Sequence, residues 1–121
     1  MQTASRQVGD VAIVDISGRI TLGEGNVMLR DIVRELVARG SHKILLNLHE
    51  VGYVDSSGVG ELVKTYTTVR NQGGQLKLLN PSKRVSDLLE MTKLASVFDI
   101  QADEASAIQS FTRSEGSTAA A

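Results

Sequence analysis

Polar and apolar positions along this chain change period several times, and each change marks an element. Val11-Ala12-Ile13-Val14-Asp15-Ile16-Ser17 alternates only in part, but it is rich in β-branched side chains that suit a pleated strand. A short edge strand is predicted ahead of it, before a turn at Gly9-Asp10, and Gly18 is expected to end it. Ile20 to Gly25 reads as a loop whose hydrophobic residues dock on the core. From Asn26 to Arg39 the apolar residues Met28, Leu29, Ile32, Val33, Leu36 and Val37 recur at helical spacing. Gly40 supplies the left-handed residue that closes many helices.

The run Lys43-Ile44-Leu45-Leu46-Asn47-Leu48 is apolar enough for a central strand covered on both faces. A central helix is predicted over about Ser57 to Asn71, with Val59, Leu62, Val63, Tyr66 and Val69 on one face and Gly73-Gly74 as its stop. Leu76-Lys77-Leu78-Leu79 is a third strand. Asn80 is the expected cap and Pro81 the opening residue of a helix that turns Val85, Leu88, Leu89 and Met91 inward. Val97-Phe98-Asp99-Ile100 reads as a short last strand, and Asp103 as the cap of a final helix carrying Ala107, Ile108 and Phe111. Arg113 to Ala121 reads as a disordered tail. This alternation implies βαβ units with right-handed crossovers, hence one α/β domain over residues 1–112 with a mostly parallel sheet. The functional surface of such sheets lies beyond the carboxyl ends of the strands.

Composition narrows the function classes. A chain of 121 residues is one ordinary domain, and 13 Lys plus Arg against 14 Asp plus Glu leave a net charge of -1. Bulk electrostatics therefore gives no reason to expect nucleic acid or an anionic membrane as partner. With no cysteine there is no disulfide, thiolate ligand or Cys nucleophile. The apolar runs are too short to span a bilayer, and no signal-peptide core follows the polar start, so a cytoplasmic protein is expected. His42 and His49 lie before and after the same strand, too far apart for a shared metal or a catalytic pair, and read as surface histidines. Gly23-Glu24-Gly25 and Gly73-Gly74 lack the lysine and spacing of a phosphate-binding loop. No Gly-x-Ser-x-Gly elbow or motif base accompanies Ser56 or Ser57, so an enzyme is not expected.

The chemistry concentrates in Tyr53-Val54-Asp55-Ser56-Ser57-Gly58-Val59-Gly60, between the central strand and the central helix. Asp55, Ser56 and Ser57 are all good N-cap residues, and a helix N-terminus favours negative charge such as phosphate. A plain cap would explain one of the three. The full cluster, followed by Gly58 and Gly60, leaves the turn open to close approach by a partner.

That motif, with Gly73-Gly74-Gln75-Leu76-Lys77-Leu78 and the helix ending Leu88-Leu89-Glu90-Met91-Thr92-Lys93-Leu94, resembles the STAS domain of bacterial anti-sigma factor antagonists over roughly residues 8 to 111. The resemblance implies a four- or five-stranded mixed sheet with about four helices packed mainly on one side, acting by protein binding. It implies that the unphosphorylated protein binds an anti-sigma factor and so releases a sigma factor. The anti-sigma factor is often a serine kinase that phosphorylates the antagonist, and a metal-dependent serine phosphatase reverses this. By the same resemblance Ser56 is the phosphorylated residue, with Ser57 the second choice, and Thr21, Asp55, Ser56, Ser57, Gly58, Val59 and Gly60 form the partner-binding surface. No cofactor or metal is implied for this chain, since ATP and any catalytic metal belong to the kinase and phosphatase. A monomer or weak homodimer is expected.

Many family members carry Gly-Glu-Leu-Asp or a similar segment after the early strand, where this chain has Gly18-Arg19-Ile20-Thr21-Leu22-Gly23-Glu24-Gly25. Arg19 reverses a charge there, which bears either on partner choice or on the shape of a loop rebuilt around Gly23 and Gly25. An alternative function is a STAS interaction module of a scaffold or lipid-transport complex without a phosphorylation cycle.

Overall fold

A computed structural model of the protein describes residues 1–111; the expected tail, 113–121, lies outside the described residues. Five strands, β1 (Gln2–Val8), β2 (Val11–Ile20), β3 (Lys43–Val54), β4 (Gln75–Leu79) and β5 (Asp99–Gln101), form one sheet in the order β1-β2-β3-β4-β5. β1 pairs antiparallel with β2 through the tight Gly9-Asp10 turn, where Val8 faces Val11, and every later pairing is parallel. Three helices, α1 (Glu24–Ala38), α2 (Ser56–Asn71) and α3 (Lys83–Met91), supply the crossovers' helical content, and a fourth, α4, covers residues 104–111.

Alternate residues of a strand point to opposite faces, and this sorts the core into two layers. Ala12, Val14, Ile16, Ile44, Leu46, Leu48, Leu76 and Leu78 pack under the helical stripes of α1 to α3, represented by Leu29, Val33, Leu62, Val69, Val85 and Leu89. Val11, Ile13, Leu45 and Leu79 face the other way, against Ala107 and Phe111 of α4. Three of the four helices thus share one side of the sheet, as expected. Gly40, at φ 89°, lets α1 close with Gly40 N–H donating to Val37 O and Ser41 N–H to Leu36 O.

Several boundaries differ from the sequence reading. β2 does not stop at Gly18: it passes through register shifts between Asp15 and Ser17 and between Gly18 and Arg19, and ends at Ile20. β3 runs past Leu48 to Val54, carrying His49 within the strand and not after it. Both extensions are held by backbone pairing of β2 with β3 (Arg19 opposite Tyr53, Ile20 opposite Val54), which leaves no apolar run to read. α1 begins at Glu24, two residues before the predicted start.

Asn80 is not a cap. It sits at φ 47° and its amide nitrogen lies 3.0 Å from His49 Nδ1, while Ser82 caps α3 and donates to Val51 O at 2.9 Å. Met91 points outward, 80% exposed. The last strand is Asp99–Gln101, because Val97 is exposed and Phe98 turns into the core to meet the Tyr66 ring edge-on at 5.4 Å. Asp103 does cap α4, accepting from Ser106 N–H at 2.9 Å.

The α4 side holds a buried lysine. Lys77 Nζ lies 3.0 Å from Asp99 Oδ2, donates to Ser110 Oγ at 2.9 Å and sits over the Phe111 ring. Removing one partner of such a charge leaves it desolvated and underpaired, a loss of about 3–5 kcal/mol for a fully buried pair. Asp99 is half exposed, so Asp99→Ala is expected to lower stability by roughly 1–2 kcal/mol in a urea melt.

Candidate functional site

β2 and β3 end side by side, and α1 and α2 start just beyond those ends, so two helix N-termini converge on one edge of the domain. The convergence is close. A Cβ on Gly58 would lie 2.1 Å from Ile20 O and 2.8 Å from Val54 Cγ1, and one on Gly25 would lie 2.7 Å from Arg19 O. Only hydrogen side chains let both helices seat against the end of β2.

Asp55 organises this edge. In extended backbone before α2 (φ −88°, ψ 179°), it accepts through Oδ1 from Gly58 N–H at 2.7 Å and from Ser57 Oγ at 2.6 Å. Its Oδ2 accepts from Leu22 N–H at 3.2 Å. One carboxylate therefore caps its own helix and pins the β2–α1 turn 33 residues earlier in the chain. The turn is also tied through Asn26, whose side-chain amide donates to Ser57 Oγ at 2.9 Å and whose backbone N–H donates to Thr21 O at 3.1 Å.

The donors set the charge state of the site. The Ser57 hydroxyl, then the Gly58 and Leu22 N–H groups, hold the Asp55 carboxyl below its ordinary pKa, because each bond favours the ionised form. The stability this adds is present above the ordinary carboxylate range and is lost as pH falls through the lowered pKa. Ser57→Ala removes the largest of these contributions. In an NMR pH titration of the side chain, the Asp55 midpoint is expected to move up toward its ordinary value, with Gly58 and Leu22 still bonded.

The predicted site residues separate into distinct environments. Ser57 is half-buried, and its hydroxyl is engaged both as donor to Asp55 and as acceptor from Asn26. Ser56 is exposed, and its hydroxyl makes no hydrogen bond among the described residues. Gly60 is exposed with open space beside it, and Thr21 is half-buried in the β2–α1 turn. Gly58 and Val59 are buried, so they shape the site from below and do not present surface.

Two grooves flank the start of α2, Ser56 lining one and Ser57 the other. Tyr53, Leu88 and Met91 line one of them with Lys83, Arg84 and Asp87; Leu22, Asn26, Val27, Gly60 and Lys64 line the other. Among the described residues, four of the six exposed large hydrophobics, Leu22, Val27, Tyr53 and Met91, sit in these grooves. Concentration of exposed apolar side chains at one edge marks a protein-binding surface. Leu22, expected to dock on the core with the rest of its loop, is instead 80% exposed because the β2–α1 turn carries it outward, and Asn26, Lys83 and Arg84 are not singled out by the sequence as site residues. Asn26 stood there only as the start of a helix, and nothing local signals that α3 lies beside the motif.

Among the described residues no group of three His, Cys, Asp or Glu side chains is placed to hold a metal, and no helix is long and apolar enough to cross a membrane. The sequence matches the STAS domain family over residues 2–107. It is 36% identical over 96 residues to the anti-sigma-B factor antagonist of Bacillus subtilis, covering 79% of this chain and 86% of that one. The fold superposes on the Thermotoga maritima protein TM1081 with a TM-score of 0.82 at 24% identity, covering 89% of this chain and 92% of the other. It superposes on the phosphorylated form of the Bacillus cell fate determinant SpoIIAA with a TM-score of 0.70 at 20% identity, covering 91% and 99%. With this mixed sheet, this helix arrangement and a family match across nearly all the described residues, the chain belongs to the STAS domain family.

Proposed function

We propose that this protein is an anti-sigma factor antagonist that works by reversible binding. Its unphosphorylated edge around Ser56 captures an anti-sigma factor that is also a serine kinase, which frees a sigma factor. The partner then transfers the γ-phosphoryl group of ATP to Ser56: the Oγ–P bond forms, the bond to the β-phosphate oxygen breaks, ADP leaves and the hydroxyl proton goes to a base of the kinase. A metal-dependent phosphatase hydrolyses the phosphoserine and restores binding. ATP and metal enter with those partners, and this chain supplies the acceptor.

The observation that carries the reading is the contrast between adjacent serines. Ser56 offers an exposed, unengaged hydroxyl on the first turn of a rigidly capped helix, whereas the Ser57 hydroxyl is held between Asp55 and Asn26. A kinase selecting Ser57 would have to break both bonds and disturb the cap. Support also comes from the Bacillus subtilis relative, an anti-sigma-B factor antagonist by name, and from SpoIIAA, a protein of the same fold known in a phosphorylated form.

The test is affinity capture from source cells with Ser56→Ala and Ser56→Asp baits, read by mass spectrometry. A protein with a kinase-type ATPase domain should bind the alanine bait, be lost from the aspartate bait, and phosphorylate the unmodified protein at Ser56. Capture of the same proteins by both baits would defeat the switching reading and favour a constitutive scaffold module.

A further inference from the structure

The groove on the α3 side of Ser56 is lined by both apolar and basic side chains. Tyr53, Leu88 and the outward-pointing Met91 give its lining apolar surface, and Lys83 and Arg84, in the first turn of α3, give it positive charge. That turn is fixed in place: Ser82 caps it and bonds β3 through Val51 O, while Val85 and Leu89 are buried beneath. Lys83 is shared with Asp87 at 3.0 Å, both exposed. Arg84 is exposed and has no hydrogen-bond or ion-pair partner among the described residues. The same groove is lined by Ser56 itself.

From this placement we infer that the groove is an intramolecular receptor for the phosphoryl group of Ser56, with Arg84 its main ligand and Lys83 an auxiliary one. The inference rests on modification at Ser56. A phosphoserine opposite an arginine forms charge-assisted, often bidentate hydrogen bonds, and here the guanidinium is uncommitted. Asp55 and Asp87 in the same lining repel the dianion, which favours its pairing with Arg84 and Lys83. Paired in this way, it occupies the groove beside Tyr53. The modified face is then both occluded and internally neutralised.

The experiment installs phosphoserine at position 56 by genetic encoding, so the behaviour of the groove is separated from any failure of a kinase to choose Ser56. Titration by phosphorus NMR reads the second ionisation of the phosphate. The groups facing it are Asp55, Lys83, Arg84, Asp87 and the Tyr53 phenol. Arg84→Ala is expected to raise the midpoint by about half a pKa unit, the size of an exposed charge pair, and Lys83→Ala by less. Asp87→Asn is expected to lower it, since a repelling charge goes and Lys83 is released. A purely structural role for α3 would not produce opposite signs from neighbouring exposed residues. A midpoint unchanged in the Lys83→Ala/Arg84→Ala double variant, or raised by Asp87→Asn, overturns the inference.

Discussion

Phosphorylated at Ser56, the protein is expected to bind its anti-sigma partner about 100-fold more weakly than the unmodified form, with a backbone NMR spectrum changed only around the β3–α2 junction. The magnitude follows from where the charge lands. A phosphoryl group adds roughly −1.5 to −2 charge at neutral pH, on an exposed residue that lines the groove of Tyr53, Leu88 and Met91, beside Ser57 in the lining of the second groove. A partner that packs against Leu22, Val27, Tyr53 and Met91 must desolvate Ser56, and an imperfectly paired charge in a dry interface costs about 2–5 kcal/mol. The fold itself tolerates the modification, because Ser56 makes no internal hydrogen bond and the α2 N-terminus favours negative charge. Calorimetry of the encoded phosphoserine protein against the captured partner checks the loss. Equal affinity for the two forms would show that Ser56 lies outside the interface.

Gly58→Ala is the substitution expected to damage the fold most at this edge, by about 3 kcal/mol, the upper range for forcing an extra carbon into a packed site. For a domain of this size that corresponds to a fall in melting temperature of roughly 10 °C or more. Its Cβ would come within 2.1 Å of a main-chain oxygen at the end of β2, and neither neighbour is the flexible end of a side chain. Relief requires α2 to withdraw from Ile20, which also pulls the Asp55 carboxylate away from Leu22 N–H. Gly60→Ala provides the control, since a Cβ there meets nothing within 4 Å and alanine favours a helix more than glycine. A thermal melt of the two variants should therefore show a large loss for Gly58 and none, or a small gain, for Gly60. Equal midpoints would mean that the close approach of α2 to β2 contributes little to stability.

The element order, the two-faced strands and the helical stripes were all legible along the chain. The stripes rest on the 3.6-residue repeat that burial imposes on a helix, and the strands on β-branched and unbroken apolar runs bounded by turn residues. The Gly40 stop was legible because it acts within a few residues of itself, and the cap of α2 was narrowed to Asp55, Ser56 or Ser57, of which the structure uses Asp55 and starts the helix at Ser56. Short-range signals also misled. Asn80-Pro81 has the form of a helix start, yet Asn80 bonds across to His49 and β5, and the cap passed to Ser82. The last residues of β2 and β3 carry no apolar pattern. They are strands because each completes the other's backbone pairing, a condition no single segment announces.

At the candidate site the division is sharper. The amino-acid order alone determined that a carboxylate and two hydroxyls would crowd the first turn of a helix, and the family resemblance singled out Ser56. Only the tertiary structure decided that Ser57 is held from both sides while Ser56 stays open, because Asn26 lies 31 residues away along the chain. Only it brought Lys83 and Arg84 to the groove beside Ser56, from a helix beyond the next strand. The physical reason is common to both: caps and stripes are settled by neighbours within a turn or two, whereas parallel register and crossover packing decide which distant side chains share a surface.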